Sequence, residues 1–384
     1  MSKKDVLVVG AMRSPIGNGR DDSSLFGITP QELACQILEA QFLKVPVPRE
    51  SIQSFRLGSV VSLKSSAVTQ GLAKEIALRA GMFNASSSIV EKVCSSGLRA
   101  IYEASSDIRN EGCDFAIGAG VDVMSGVPKE VNIGALTDPI TGKHMAVLSD
   151  GKARELGFTR EDYDRYAVES YARAKKHLYD YEHDGYLAPV ILNPLSGSES
   201  ARIVNFDQNV MIPDKKLEKM KKMIIGGCEI TTAFNASKYA DGYGNLFLAS
   251  PRGAKKMHLE PLAKILAYAE HTERESKDFI IAPAGASLKA VKKAKKALFN
   301  IDAWWVNEAF PAPPLYFFDK IPEAHWETIN PTGGAIAFGH ALGATGVILC
   351  VNAICQARRE KQKYIVVSLC NAIGEATAMV FEIL

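Results

Sequence analysis

The two halves of this chain repeat one pattern of small residues, helix and strand, and the repeat limits the folds open to it. Residues 94–115, CSSGLRAIYEASSDIRNEGCDF, align without a gap with residues 343–364, GATGVILCVNAICQARREKQKY. Both segments begin with small residues, continue with helical spacing and enter an apolar strand. Four aligned pairs are identical: Gly97 and Gly346, Ala104 and Ala353, Arg109 and Arg358, and Glu111 and Glu360. The shared order and length indicate an internal duplication.

Short apolar runs alternate with helical periods along the chain. Asp5–Val9 and Phe115–Gly118 have the pattern of buried strands. Pro30–Phe42, with Thr29 as N-cap, and Ser95–Ile108 have helical spacing. Such alternation predicts an α/β protein with largely parallel strands.

A region of different composition separates the two halves. Residues 126–241 are rich in Lys, Asp, Tyr and Met, and Thr159–Tyr181 predicts a long helix that begins with a Thr159–Asp162 capping box. We therefore expect an N-terminal half at 1–125, completed by 242–258, an inserted loop domain at 126–241, and a C-terminal half at 259–384. The inserted domain is expected to cover the active site.

Composition excludes several classes of function. Hydrophobic residues make up 47% of the chain and charged residues 23%, which is typical of a soluble globular protein. The net charge of +2 gives no indication of a nucleic-acid or membrane partner, and we expect neither. The lysine-rich stretches Lys215–Lys222 and Lys289–Lys296 predict solvated helix faces. In the first of them, Lys221 is a candidate contact for a phosphate of a soluble ligand.

The cysteines and the N-terminus predict a compartment. Seven cysteines, an odd number without a CxxC pair, disfavour a disulfide framework or a zinc site and favour a reducing environment. The first residues, MSKKDVLVVG, enter a strand without a signal-peptide core. We expect a cytoplasmic protein.

Four stretches combine a reactive side chain with small neighbours at the end of an element. VCSSGLRA places Cys94 just before a predicted helix, where the helix dipole and free N–H groups would lower the pKa of a thiol. VNEAF, GGAIAFGH and SLCNAIG place Asn307, His340 and Cys370 in similar settings. Five cysteines and four histidines are interpreted as packing or surface residues: Cys35, Cys113, Cys228, Cys350, Cys355, His177, His183, His258 and His271.

These stretches, taken in order, resemble the thiolase family over nearly the whole chain. RSPIG at Arg13–Gly17, GAGVDVMS at Gly118–Ser125, HM at His144–Met145 and NAS at Asn235–Ser237 complete the set. The resemblance implies a thiolase-like fold of five layers, α/β/α/β/α, built from two duplicated halves. It also implies CoA as a substrate, no tightly bound cofactor, and a homodimer.

The resemblance implies a role for each site residue. Cys94 accepts the acyl group after His340 takes its proton, and Cys370 moves the proton of the second half-reaction. His340 and a water held by Asn307 stabilise an enolate oxygen. His144, Met145, Ser237, Ala309, Phe310 and Lys221 are the expected contacts of CoA. The implied reaction is thiolysis of a 3-ketoacyl-CoA, or the reverse condensation of acetyl-CoA.

The sequence departs from the family pattern near the site. Ala372 replaces the usual glycine two residues after Cys370, Ala341 replaces a proline, and Lys238 and Tyr239 replace small residues. We expect the turn at Ala372 either to be strained by a positive φ or to relax, and relaxation is favoured.

Three other functions stay open at this point. One is a thiolase-like protein with impaired catalysis that binds CoA or a protein partner. Another is a condensing enzyme of the ketoacyl-synthase kind, which would not need Cys370. A Cys–His–Asn peptidase is disfavoured because Cys94 lacks peptidase motifs around its thiol.

Overall fold

A computed structural model describes residues 4–193 and 200–384 of the chain. The strands are β1 Val6–Arg13, β2 Gly17–Asn18, β3 Ser54–Gly58, β4 Ser86–Val90, β5 Phe115–Val123, β6 Val190–Leu192, β7 Arg202–Val204, β8 Ala240–Ala249, β9 Ala263–Thr272, β10 Ala303–Val306, β11 Tyr364–Asn371 and β12 Glu375–Ile383. The α-helices are α1 Pro30–Lys44, α2 Leu72–Arg79, α3 Ser96–Glu111, α4 Lys129–Ala135, α5 Met145–Glu155, α6 Arg160–Lys176, α7 Asp180–His183, α8 Asp214–Lys221, α9 Pro251–Lys256, α10 Ala282–Lys293, α11 Ala312–Lys320, α12 Ala335–Phe338 and α13 Leu342–Arg359. Among these helices, none is both long and apolar enough to cross a membrane.

One hydrogen-bonded sheet runs through both halves of the molecule. Its strand order is β10-β11-β12-β9-β1-β8-β5-β3-β4, with the short β2 on β8, while β6 and β7 form a separate hairpin. Strand β1 pairs with β8 on one side and with β9 on the other, so it joins the strands of the first half to those of the second.

The prediction of largely parallel strands is wrong. Among the described residues of the large sheet, only three pairs of strands are parallel: β3 with β4, β3 with β5, and β10 with β11. The long strands β8, β9 and β12 all run antiparallel to their neighbours. Apolar runs indicate that a strand is buried on both faces, and helices that cover an antiparallel pair produce the same pattern as helices that cover a parallel one.

The duplicated segments form the helices α3 and α13, each followed by a strand, as the repeat predicts. The two helices pack against each other and against β5. Their backbones approach closely at glycines: a Cβ on Gly97 would lie 2.7 Å from the carbonyl oxygen of Gly343, and one on Gly346 would lie 2.6 Å from the nitrogen of Leu98. The aligned glycines therefore permit the contact between the halves.

Two of the predicted helix starts have the expected caps. Thr29 and Glu32 form a capping box at α1, and Thr159 and Asp162 form one at α6. Helix α6 ends at Lys176, and Asp180–His183 is a separate short helix, so the predicted helix to Tyr181 is broken in two.

Candidate functional site

The cavity of about 280 Å³ at the ends of α3, α13 and β11 collects most of the site residues predicted from the sequence. Its walls come from both halves of the chain and from the segments between residues 135 and 239 that precede β8. The predicted residues among its walls are Cys94, His144, Met145, Ser237, Ala309, Phe310, His340 and Cys370. These eight come from six separate stretches of the chain, so the tertiary fold brings the motifs to one place.

Cys94 lies in a strained turn directly before α3. The preceding Val93 has φ 48°, a left-handed conformation that is unusual for a β-branched residue. The turn is held by Ser96, whose hydroxyl accepts a hydrogen bond from the N–H of Lys92 and donates one to the carbonyl of Val93. The strained turn therefore fixes Cys94 between β4 and α3, where its side chain reaches the cavity.

The prediction of a lowered pKa for Cys94 is wrong for the unliganded protein. Burial raises the pKa of the Cys94 thiol well above its ordinary value, and the neighbouring Cys370 adds to this effect. Only 8% of Cys94 is exposed, and a thiolate there would lose its hydration. Cys94 is therefore a neutral thiol at rest, and a base must take its proton.

His340 has the hydrogen bonds of such a base. Its Nδ1 lies 2.7 Å from the hydroxyl oxygen of Thr345, which itself donates to the carbonyl of Ala341. Because the hydroxyl proton is used, Nδ1 must carry a hydrogen and donate it, which leaves Nε2 as an acceptor. Burial lowers the pKa of His340 to about 4, so the imidazole is neutral near pH 7.

Asn307 lies beside His340 at the end of β10. Its amide nitrogen is 3.4 Å from His340 Nε2, and its side-chain oxygen is buried without a hydrogen-bond partner among the described residues. An unpartnered buried oxygen costs free energy unless a ligand or water fills the gap. Asn307 can therefore hold a polar group next to His340, although it does not itself line the cavity wall.

Cys370 is the last cavity residue of β11 and pairs with Ala376 of β12. Burial raises the pKa of its thiol to about 12. In the turn that follows, the positive φ angles lie at Ile373 (71°) and Gly374 (77°), and Ala372 does not have one. Ala372 is therefore not strained, and the first of the two expectations for this turn is wrong.

Two buried carboxylates, for which the sequence analysis gave no role, hold the segments around the cavity. Glu308 accepts hydrogen bonds from Tyr166, Ser170, Asn330 and the N–H of Ile336, so it fixes the loop that leads to His340. Asp122 accepts from the N–H groups of Val60, Val61, Ser62 and Gly343, so it fixes the start of α13 beside β5. The sequence signal for each carboxylate was its position inside a motif, Glu308 in NEAF and Asp122 in GAGVDVMS.

The residues predicted to contact CoA divide into two groups. His144 caps α5 through Nδ1, Ser237 donates its N–H to the carbonyl of Ala309, and both line the cavity with Met145 and Phe310. Lys221 does not line it. Its ammonium pairs with Glu218 and lies over the ring of Phe234.

Lys238 is an unexpected part of the cavity wall. The side chain is buried and donates to the carbonyl oxygens of Phe234, Ala236 and Ile336 at 3.0 to 3.2 Å. Its backbone carbonyl accepts the N–H of His340. Burial is the main cause, and the charge of Arg20 a smaller one, of a pKa of Lys238 that is lowered to about 7. Lys238 therefore joins the segment before β8 to the loop that carries His340.

Comparisons with known proteins identify the family of this chain. The family model for the thiolase N-terminal domain matches residues 6–135 and 129–252, and the model for the thiolase C-terminal domain matches residues 259–383. Acetyl-CoA acetyltransferase IB of Candida tropicalis is 31% identical, with 100% of this chain and 98% of that protein covered. Mitochondrial acetyl-CoA acetyltransferase of Bos taurus is 29% identical, with 98% of this chain and 91% of that protein covered.

Solved structures share the fold over the full length. Human mitochondrial 3-ketoacyl-CoA thiolase has a TM-score of 0.91 at 26% identity and covers 100% of both chains. The same enzyme in complex with CoA has a TM-score of 0.89, also at 26% identity, and covers 100% of this chain and 98% of that one. These likenesses confirm the fold class expected from the sequence.

Proposed function

Because the chain belongs to the thiolase family, an acyltransferase family, we propose that it transfers acyl groups between CoA thioesters through an acyl-enzyme on Cys94. The observation that carries this proposal is the cavity that holds Cys94, His340 and Cys370 together. The reaction is thiolysis of a 3-ketoacyl-CoA or the reverse condensation of acetyl-CoA.

In the first half-reaction the sulfur of Cys94 attacks a carbonyl carbon while its proton passes to Nε2 of His340. In thiolysis this is the 3-keto carbonyl of the 3-ketoacyl-CoA, and in condensation it is the thioester carbonyl of acetyl-CoA. Both groups are neutral at rest, so the transfer creates the nucleophile at the moment of attack. The Nδ1–H bond to Thr345 keeps the imidazole in the tautomer that can accept this proton. In thiolysis the C2–C3 bond then breaks, and the acetyl-CoA enolate leaves and takes the proton of Cys370. In condensation the C–S bond breaks, and the departing CoA thiolate takes that proton.

In the second half-reaction Cys370 handles the remaining proton. In thiolysis it takes the proton of incoming CoA, whose thiolate attacks the acyl group on Cys94. In condensation it takes a proton from the α-carbon of acetyl-CoA. The protonated Nε2 of His340, with a water held by Asn307, donates to the enolate oxygen, and each such donor contributes about 3 kcal/mol to the transition state.

CoA is the substrate and no resident cofactor is needed for these steps. His144, Met145, Ser237, Ala309 and Phe310 form the wall along which its pantetheine arm would lie. Lys221 does not line the cavity. Its contact with a phosphate of CoA stays a prediction. We further propose a cytoplasmic homodimer that acts in fatty acid metabolism.

Intact-mass measurement after mixing with acetyl-CoA tests the acyl-enzyme. The wild-type chain should gain about 42 Da, the mass of an acetyl group. Cys94→Ala should show no adduct, whereas Cys370→Ala should form the adduct and fail to condense acetyl-CoA. Cys35→Ser, which changes a cysteine outside the cavity, is the control and should keep both properties.

The same measurement separates the alternatives. A protein that only binds CoA would gain no mass, and a condensing enzyme of the ketoacyl-synthase kind would keep condensation in Cys370→Ala. Equal loss of acetylation in Cys94→Ala and Cys370→Ala would contradict the assigned roles.

A further inference from the structure

Helix α12 ends immediately before His340, and Lys238 replaces both partners of the hydrogen bond that the helix loses there. If α12 continued, the N–H of His340 would bond the carbonyl of Ile336. Gly339 has φ 105° and turns the chain out of the helix. The N–H of His340 then bonds the carbonyl of Lys238 at 2.8 Å, and the ammonium of Lys238 bonds the carbonyl of Ile336 at 3.0 Å. One residue thus bonds both groups that the end of the helix leaves open.

The ammonium of Lys238 is surrounded by carbonyl oxygens and an aromatic ring. It donates to the carbonyls of Phe234 and Ala236 at 3.1 and 3.2 Å, and it lies 5.0 Å from the centre of the Tyr171 ring. Together with Ile336, three carbonyl oxygens converge on one nitrogen, which matches the three donors of an ammonium group. These carbonyls belong to two segments that are far apart in sequence, so the ammonium holds the two segments together.

Loss of this ammonium would favour a different end of α12. Three buried carbonyls would lose a donor, and a buried carbonyl without a partner costs free energy. The simplest repair is one more residue of helix, in which the N–H of His340 bonds the carbonyl of Ile336. The imidazole would then leave its bond to Thr345 and its orientation in the cavity that holds Cys94.

We propose that Lys238 is a positioning residue for acyl transfer: its ammonium, held by three carbonyls, keeps His340 outside α12 and aimed into the cavity. This inference rests on the proposed acyl transfer, since it assigns a role in the same site. It gives a function to a residue that departs from the family pattern, in which a small side chain is usual at this position. In this role Lys238 acts through His340 and not on the substrate, so a free cation with N–H donors can replace its ammonium.

Two substitutions of Lys238 test the inference because they differ in the space that they leave. Lys238→Ala removes the ammonium and leaves room for a small cation, whereas Lys238→Met fills that space with an uncharged chain. In both variants the rate of Cys94 acetylation at saturating acetyl-CoA should fall about tenfold or more, because a displacement of about 1 Å can cost about a hundredfold. The affinity for CoA, measured by isothermal titration calorimetry, should change by less than about twofold.

Chemical rescue separates the two variants. Ammonium chloride should restore most of the lost rate in Lys238→Ala and none of it in Lys238→Met. Tetramethylammonium chloride at the same ionic strength is the control, since it has no N–H donor and should rescue neither variant. The assays belong at about pH 6, where the wild-type side chain is protonated because its pKa is lowered only to about 7.

The results that would overturn the inference are distinct. Rates close to that of the wild-type chain in both variants would show that the ammonium does not position His340. A loss confined to the affinity for CoA would make Lys238 a ligand contact. Rescue of both variants, or of neither, would show that the carbonyls of Phe234, Ala236 and Ile336 are not where the cation acts.

A second measurement keeps the inference testable if Lys238→Ala does not fold. In Lys238→Met the nitrogen-15 NMR shifts of the His340 ring should lose the pattern of a single tautomer, and retention of that pattern would overturn the inference. This measurement needs no turnover. Failure of the proposed function shows separately, as the absence of the acetyl adduct on Cys94 in the wild-type chain.

Discussion

At the scale of single residues, the chemistry depends on two buried groups that are neutral at rest. Burial raises the pKa of Cys94 and lowers that of His340 to about 4. An ion pair between them would be costly in an apolar cavity before substrate is bound. Proton transfer is therefore coupled to attack on the thioester.

The pH profile of Cys94 acetylation should reflect this neutral pair. Acetylation requires His340 to be unprotonated, and with a pKa near 4 it stays so as the pH falls from 7.5 to 5.5. We expect the rate of adduct formation, followed by quenched intact-mass measurement, to be nearly constant over this range. A decline with an apparent pKa near the ordinary value for histidine, about 6.5, would show that His340 is not held neutral by burial.

Thr345 positions His340 and does not touch the reacting atoms in our proposal. Thr345→Val removes the acceptor for the Nδ1–H group and allows the wrong tautomer, so kcat should fall about tenfold or more while the KM for CoA changes little. Thr345→Ser keeps the hydroxyl and should restore most of the activity. A loss in Thr345→Ser without a loss in Thr345→Val would contradict this role and indicate that the methyl group acts through packing.

At the scale of elements, the β11–β12 hairpin carries Cys370 and contains an unfavourable turn residue. Ile373 and Gly374 both have positive φ, as in turns for which an Asn-Gly pair is preferred. A Cβ at Gly374 would lie 2.7 Å from the carbonyl oxygen of Glu275, so glycine is required there. Ile373 is 42% exposed and gains little from burial in return for its strain.

Replacing Ile373 should therefore stabilise the protein. Asparagine tolerates the left-handed conformation, so Ile373→Asn should raise the free energy of unfolding by about 1 kcal/mol. Denaturant titration would measure the change. Ile373→Val keeps the β-branch and should give no gain, and a similar gain in both variants would mean that backbone strain is not the cause.

At the scale of the whole molecule, stability depends on the contact between the duplicated helices α3 and α13. Gly346→Ala places a methyl group 2.6 Å from the backbone nitrogen of Leu98, so the helices must move apart. We expect a loss of about 1–3 kcal/mol in the free energy of unfolding, as for an overpacked core. Gly151→Ala, a helical glycine with open space around its Cβ position, is the control and should not destabilise the protein.

The homodimer is also a prediction at this scale. Strand β4 lies at one edge of the large sheet, so within residues 4–193 and 200–384 one side of it has no strand partner and is available to a second copy of the chain. Light scattering at micromolar concentration should give twice the mass of 41.6 kDa. A monomer over that concentration range would contradict the prediction, and a tetramer would require a second interface.

The sequence by itself determined the features that depend on neighbours along the chain. The repeat predicted two similar helix–strand units, local side-chain bonding predicted the caps at Thr29 and Thr159, and small residues marked the turns beside Cys94 and His340. Each of these follows from local backbone conformation, which short stretches encode.

Only the tertiary structure decided the features that depend on distant segments. Pairing direction in the sheet, the high pKa of Cys94, and the meeting of Arg20 with Lys238 all arise from burial and from contacts between segments far apart in sequence. A helix N-terminus favours a thiolate, but the desolvation imposed by the rest of the fold is the larger effect here. Whether the pKa of Cys94 rises or falls depends on how much water the folded chain excludes from the thiol. A local sequence pattern does not contain that information.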